Sequence, residues 1–152
     1  MFVLHVYREI TLTVPSRSSD SELNHEEWVV HPAPPLYKKR QVRAQIFGFP
    51  VTEDDLYAWA VKHDTRPGGS PCIRRNAAWK AICVRLPSDH RRVTTIRDQL
   101  PDDPDSVSMC FVVETNLNAK DMALTQDAEL IKSLYDAIDM GNRPGWFYPG
   151  EP

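Results

Sequence analysis

The stretch Val107-Ser108-Met109-Cys110-Phe111-Val112-Val113-Glu114-Thr115 constrains the fold more than any other. From Met109 to Val113 it is continuously apolar, the pattern of a strand covered on both faces. Residues 107–115 are therefore expected as the central strand of a sheet, entered from a turn at Pro101-Asp102-Asp103-Pro104-Asp105-Ser106.

Further strands can be placed around it. Residues 2–14 alternate, with Phe2, Leu4, Val6, Ile10, Leu12 and Val14 against His5, Tyr7, Glu9, Thr11 and Thr13. That predicts a long half-buried strand, bent near Arg8, which interrupts the apolar face. Residues 15–35 read as a polar, proline-rich loop, with Trp28-Val29-Val30 as a short extended piece. Pro32, Pro34 and Pro35 rule out a central strand there. Residues 40–49 form a second expected strand, with Val42, Ala44 and Ile46 on one side, and 92–97 a further one.

The sharpest local signal is a helix start at Thr52. Asp55 follows three residues on, close to a capping box, and Val51 and Leu56 hold the staple positions. Acidic residues fill the first turn. Leu56, Trp59, Ala60 and His63 share a face, so a helix is expected over 53–63, stopped by Pro67-Gly68-Gly69. Residues 71–78 read as a short helical turn. Residues 78–86 are ambiguous between a continued helix and a strand, and the alternation of Ile82, Val84 and Leu86 with Cys83 and Arg85 favours the strand. A final helix is expected over 126–140, capped by Thr125 and closed by Gly141, before an aromatic tail at 142–152.

At 152 residues the chain suits a single domain. The order predicts an α+β two-layer sandwich, a largely antiparallel sheet with two main helices, and from residue 40 onward β-α-β-β-α has a ferredoxin-like character. The 13 prolines against 6 glycines point to stiff loops. A net charge of −3 disfavours wholesale phosphate neutralisation, so no nucleic-acid partner is expected. No apolar run approaches the roughly 20 residues of a bilayer span. The start lacks a basic leader region, there is no N-x-[ST] sequon, and the three cysteines contain no C-x-x-C, so a reducing, cytoplasmic setting is expected.

Catalytic signatures fail on spacing. Pro67-Gly68-Gly69-Ser70-Pro71 lacks the lysine of a P-loop and a strand ahead of it. A phosphatase loop needs an arginine six residues after its cysteine. The residues six after Cys72, Cys83 and Cys110 are Ala78, Asp89 and Asn116. His25-Glu26-Glu27-Trp28-Val29 lacks the second histidine of a zincin.

The remaining candidates are individual residues. Arg74 and Arg75, after the glycine-proline loop, are candidate anion ligands. Cys72 beside them is a candidate nucleophile, its thiolate favoured by their charge. His63 is a candidate base, oriented by Asp64 or another carboxylate, although a helix C-terminus also favours a plain capping histidine. His25 and His31, with Glu26 or Glu27, are candidate metal ligands. Trp28, Trp146 and Tyr148, in proline-bound segments, are candidate interaction residues.

The frame Phe47-Gly48-Phe49-Pro50-Val51-Thr52 with Asp55-Leu56, the apolar strand ending Glu114-Thr115-Asn116, and the helix leading to Trp146-Phe147-Tyr148 resembles small uncharacterised fungal proteins. The resemblance covers most of the chain after about residue 40. It implies structural signals and carries no activity.

The functional expectation is a non-catalytic binding or interaction domain without a cofactor. Its partner would be a protein or peptide, or a second copy paired through the first strand as an edge. The alternatives are a small hydrolase or transferase acting on an anionic substrate through His63, Cys72, Arg74 and Arg75, and a metal-binding protein using His25 and His31.

Overall fold

The computed structural model describes residues 28–30, 32–38, 43–97 and 107–150. The strand expected at 2–14, the loop to residue 27, and His25 and His31 lie outside the described residues. The elements are β1 (Ile46–Val51), α1 (Glu53–Lys62), α2 (Pro71–Arg85), a 3₁₀ turn (Ser88–His90), β2 (Val93–Arg97), β3 (Val107–Thr115), α3 (Ala119–Leu124), α4 (Ala128–Ile138) and β4 (Gly145–Phe147).

The sheet order is β2-β3-β1-β4, and each neighbouring pair is antiparallel. The expected central strand, β3, does sit inside the sheet. Because β1 and β2 both run antiparallel to β3, they are parallel to each other, joined by α1 and α2. The pair β3 and β4 brackets β1 in the same way, joined by α3 and α4. Two interleaved split βαβ units are the ferredoxin-like connectivity, here with each helical connection doubled.

One face of the sheet carries the main core. Phe47, Phe49 and Val51 of β1 and Phe111 and Val113 of β3 pack with Leu56, Trp59 and Ala60 of α1, Ala78 and Ile82 of α2, and Ile131, Leu134 and Ile138 of α4. Trp79 stacks on Phe111 with ring centroids 4.7 Å apart. The opposite face holds a smaller cluster of Ile46, Ile96, Cys110 and Val112, with Phe147 against it.

The C-terminal segment closes that second face. Beyond β4, Tyr148 oxygen accepts from Arg97 N–H (3.0 Å) and Gly150 N–H donates to Thr95 oxygen (2.9 Å), bridging Ile96 to Pro149. Phe147 and Tyr148 are consecutive, so the two edges of the sheet stand within one residue's reach there. The sheet therefore curls nearly shut around the smaller cluster. The described part of the aromatic tail, through Gly150, is thus docked on the body.

The interior of that curl leaves no room at Gly48. A Cβ there would stand 2.6 Å from Cys110 Sγ and would also strike the Phe111 carbonyl. Beside it the β1–β3 register slips between Phe47 and Gly48, leaving Val113 as an extra residue. Its carbonyl accepts from Arg92 Nη2 at 3.1 Å, and the same arginine pairs with the buried Glu114 at 2.8 Å.

Several expected boundaries are corrected. Of the second strand expected at 40–49, residues 40–42 lie outside the described residues, 43–45 are not strand, and β1 starts at Ile46 and runs through Pro50. The Pro50 oxygen faces Asn142, which donates to it at 2.9 Å. The N and O of a strand residue point the same way, so the missing N–H also faces this side, past the end of β4, where no ladder bond is needed. Residues 43–45 are held instead by the fully buried Asn116. It accepts from Gln45 N–H (2.7 Å) and donates to the Arg43 and Pro35 carbonyls (both 3.1 Å).

The expected strand 78–86 is helix. Ala78, Ile82 and Leu86 are buried at i, i+4 and i+8, whereas Val84 is 73% exposed. The alternation of Ile82, Val84 and Leu86 was a coincidence of spacing, not a two-sided strand. Ser70 caps this helix and Pro71 opens it, the start signal that the strand reading passed over. Thr125 does not cap the last helix. It ends α3, donating to the Met122 carbonyl (2.7 Å), and Asp127 caps α4 by accepting from Leu130 N–H. The left-handed residue that closes α4 is Asp139 (φ 54°), ahead of Gly141. The helix at 53–62 has its full capping box, Thr52 with Asp55.

Candidate interaction surface on the helical layer

Each sequence candidate among the described residues has a place. His63 closes α1 as its C-cap residue. Its ring stacks on Trp59 (4.0 Å between centroids), and its Nε2 is 3.0 Å from Asp139 Oδ2. The orienting carboxylate is thus Asp139, not Asp64. Lys62 Nζ lies 3.0 Å from both Asp139 oxygens. The hydrogen bond from Lys62, with the charges of Lys62 and His63, holds the Asp139 carboxyl below its ordinary range.

Arg74 serves the end of α1. It donates to the Thr65 and Ala60 carbonyls (both 3.2 Å) and lies 5.7 Å from the Tyr57 ring centroid. The Ala60 carbonyl, in the last turn of α1, also accepts from Thr65 N–H (2.8 Å), so Arg74 reinforces the end of that helix and the turn after it. Arg75 pairs with Glu53 at 2.9 Å. Cys72 is exposed at the start of α2, in contact with Asn76. No hydrogen bond or ion pair joins any two of His63, Cys72, Arg74 and Arg75 among the described residues. The two arginines are spent tying α2 to α1.

Trp28 belongs to the main core, against Tyr135 (4.8 Å) and beneath Arg143 (4.4 Å). Trp146 packs on Phe47 at 5.1 Å, with its indole nitrogen buried and unbonded. Tyr148 is exposed beside Arg43. Of the three aromatic candidates, Trp28 is buried, Trp146 half-buried and Tyr148 exposed. No group of three or more potential metal ligands occurs among the described residues.

Two concavities flank the α1–α2 layer. The first, about 410 Å³, lies between α1 and the end of α4, with Trp59, Tyr135 and Met140 in its walls. Its charged walls are paired within the protein. Asp55 accepts from Thr52 N–H and Asn142, Lys62 binds Asp139, and Asp136 binds Lys132. Charges already paired offer little to a ligand.

The second, about 460 Å³, is lined by Thr65, Arg66, Ile73, Asn76, Ala77 and Lys80. Its only charged walls are two cations. Neither Arg66 nor Lys80 has an ion pair or hydrogen-bonding side-chain partner among the described residues. Ile73 is 54% exposed. The residues 73, 77, 80 and 84 recur at helical spacing, so the same face of α2 continues to Val84. Sequence reasoning missed this face because a strand at 78–86 would have separated Ile73 from Val84. The available signal was charge: residues 71–85 hold Arg74, Arg75, Lys80 and Arg85 and no acidic residue, within a chain of net charge −3.

No family model, curated protein or solved structure matches the chain. No helix among the described residues is long and apolar enough to cross a membrane.

Proposed function

We propose that this chain is a non-catalytic interaction domain that binds a protein or peptide through the outer face of α2. The observation that carries the reading is the exposure of Ile73 and Val84, at 54% and 73%, on one face of a helix whose other side is in the core. The exposed parts of large aliphatic side chains aligned at helical spacing leave apolar surface in water that a partner would bury. Three free cysteines suit a reducing, cytoplasmic setting. The test is native mass spectrometry of the protein isolated from its own cells, as wild type and as Ile73→Ser/Val84→Ser. A stoichiometric partner retained by wild type and absent from the variant supports the reading. A partner retained by both overturns it.

The His63–Asp139 pair favours a second reading, a small hydrolase or transferase acting on an anionic substrate. A carboxylate orienting an imidazole is the arrangement of a general base. The same spectra decide it: a small ligand retained at one equivalent, and lost in His63→Gln, would replace the interaction reading with this one.

A further inference from the structure

Resting on that interaction reading, we infer that the partner docks an acidic amphipathic segment, its apolar side chains on Ile73, Ala77 and Val84 and its carboxylates on Arg66 and Lys80. Charge complementarity is the argument. The 460 Å³ concavity has two charged walls, both cationic, and neither is neutralised among the described residues. The neighbouring cations of α2 are already used, since Arg74 and Arg75 bind α1 and Glu53 and Arg85 lies over Trp59. Lys80 and Arg66 are therefore the positive charges this face has left to offer. The first turn of α2 also contains no acidic residue to offset its positive end.

The shape of the surface favours a peptide over a small anion. Ile73 and Val84 are eleven residues apart, about 16 Å along a helix at 1.5 Å per residue. A compact anion seated in the concavity would meet Arg66 and Lys80 and leave Val84, which lies outside its lining, bare. Three turns of a partner helix would reach from one to the other, with apolar anchors at i, i+4, i+7 and i+11. Acidic residues flanking those anchors would meet the two cations at the rim, where charge sets partner choice and association rate.

The experiment is selection of a random 15-residue peptide library against the whole chain, repeated on two variants. Arg66→Asp/Lys80→Glu reverses the charge, and aspartate tolerates the left-handed backbone at Arg66 (φ 50°). Ile73→Ser/Val84→Ser removes the anchors. All four positions are exposed, and an unchanged melting temperature establishes that each variant folds. Wild type is expected to enrich sequences with aspartate or glutamate around spaced apolar residues, binding at least about tenfold more weakly to the charge-reversed chain and more weakly with added salt. Enriched peptides without acidic bias that still need Ile73 and Val84 would overturn the acidic partner and leave the interaction face standing. Peptides indifferent to both variants, or no enrichment, would overturn both. Equal binding to phosphatidylserine vesicles or single-stranded DNA would assign the patch to polyanions in general and overturn the peptide.

Discussion

The indole nitrogen of Trp59 donates a hydrogen bond to the main-chain oxygen of Ile138 at 2.9 Å, inside the core. The two residues are 79 apart in sequence. The bond gives a partner to one of the carbonyls that the end of α4 leaves unpaired, and it locks that helix end to α1. Trp59→Phe keeps most of the ring but strands the carbonyl, which costs about 1–3 kcal/mol. Urea unfolding is expected to show a lower midpoint with an unchanged slope. A changed slope would mean that the variant is not the same compact fold.

The Asp139 carboxyl titrates below its ordinary value of 3.8, first because of the hydrogen bond from Lys62. A depressed carboxyl contributes stability that is complete above its unfolded pKa and lost as pH falls through the folded one. Wild type should therefore lose an increment below about pH 4 that Asp139→Asn does not lose. Both partners are well exposed, so the increment is well under about 1 kcal/mol. Parallel acid titrations of thermal midpoint for the two proteins check it, and identical curves would contradict it.

The three thiols differ in reach. Burial pushes Cys110 up to about 12, raises Cys83 against the lowering charge of Arg91, and leaves Cys72 exposed. A thiol reagent at neutral pH should modify Cys72 first, Cys83 more slowly, and Cys110 only after unfolding. Peptide mapping over time reads the order.

Gly48→Ala is expected to cost about 3 kcal/mol or more, since overpacking on backbone has no cheap relief. The added methyl meets both Cys110 Sγ and the Phe111 carbonyl. Adding Cys110→Ala should recover only part of the loss, because the carbonyl cannot swing away. Full rescue in a double-mutant cycle would show that the sulfur alone sets the limit.

Asn116→Ala removes three hydrogen bonds that tie Pro35, Arg43 and Gln45 to the end of β3. Leaving these backbone groups without partners is expected to cost about 3 kcal/mol. Amide exchange at Gln45 should accelerate more than exchange in β2. Equal acceleration at both would point to global destabilisation instead.

Much of the fold was legible locally. The capping box of Thr52 and Asp55, the apolar run of β3 and the fold class each follow from patterns within about ten residues of chain. The strand reading of 78–86 failed because alternation over three apolar residues matches a helix equally well when one of them faces water. Val84 is that residue. The Thr125 cap failed because two short helices meet there, and either threonine or Asp127 could end one and begin the other. The candidate site was barely legible. Arg74 and Arg75 look like a free basic pair in the sequence, yet both are bound to α1, while Arg66 and Lys80 drew no notice.

By itself the sequence determined the periodicities, the caps and the charge of each segment, because these depend on neighbours along the chain. Tertiary structure alone decided that Asp139 rather than Asp64 would face His63, that Trp28 would be core, and that Tyr148–Gly150 would close the sheet against β2. It also decided which cations stay unpaired. An ion pair or a packed ring depends on distance in space. Partners such as His63 and Asp139, 76 residues apart, are brought together only when α1 and α4 bury their apolar faces on one sheet.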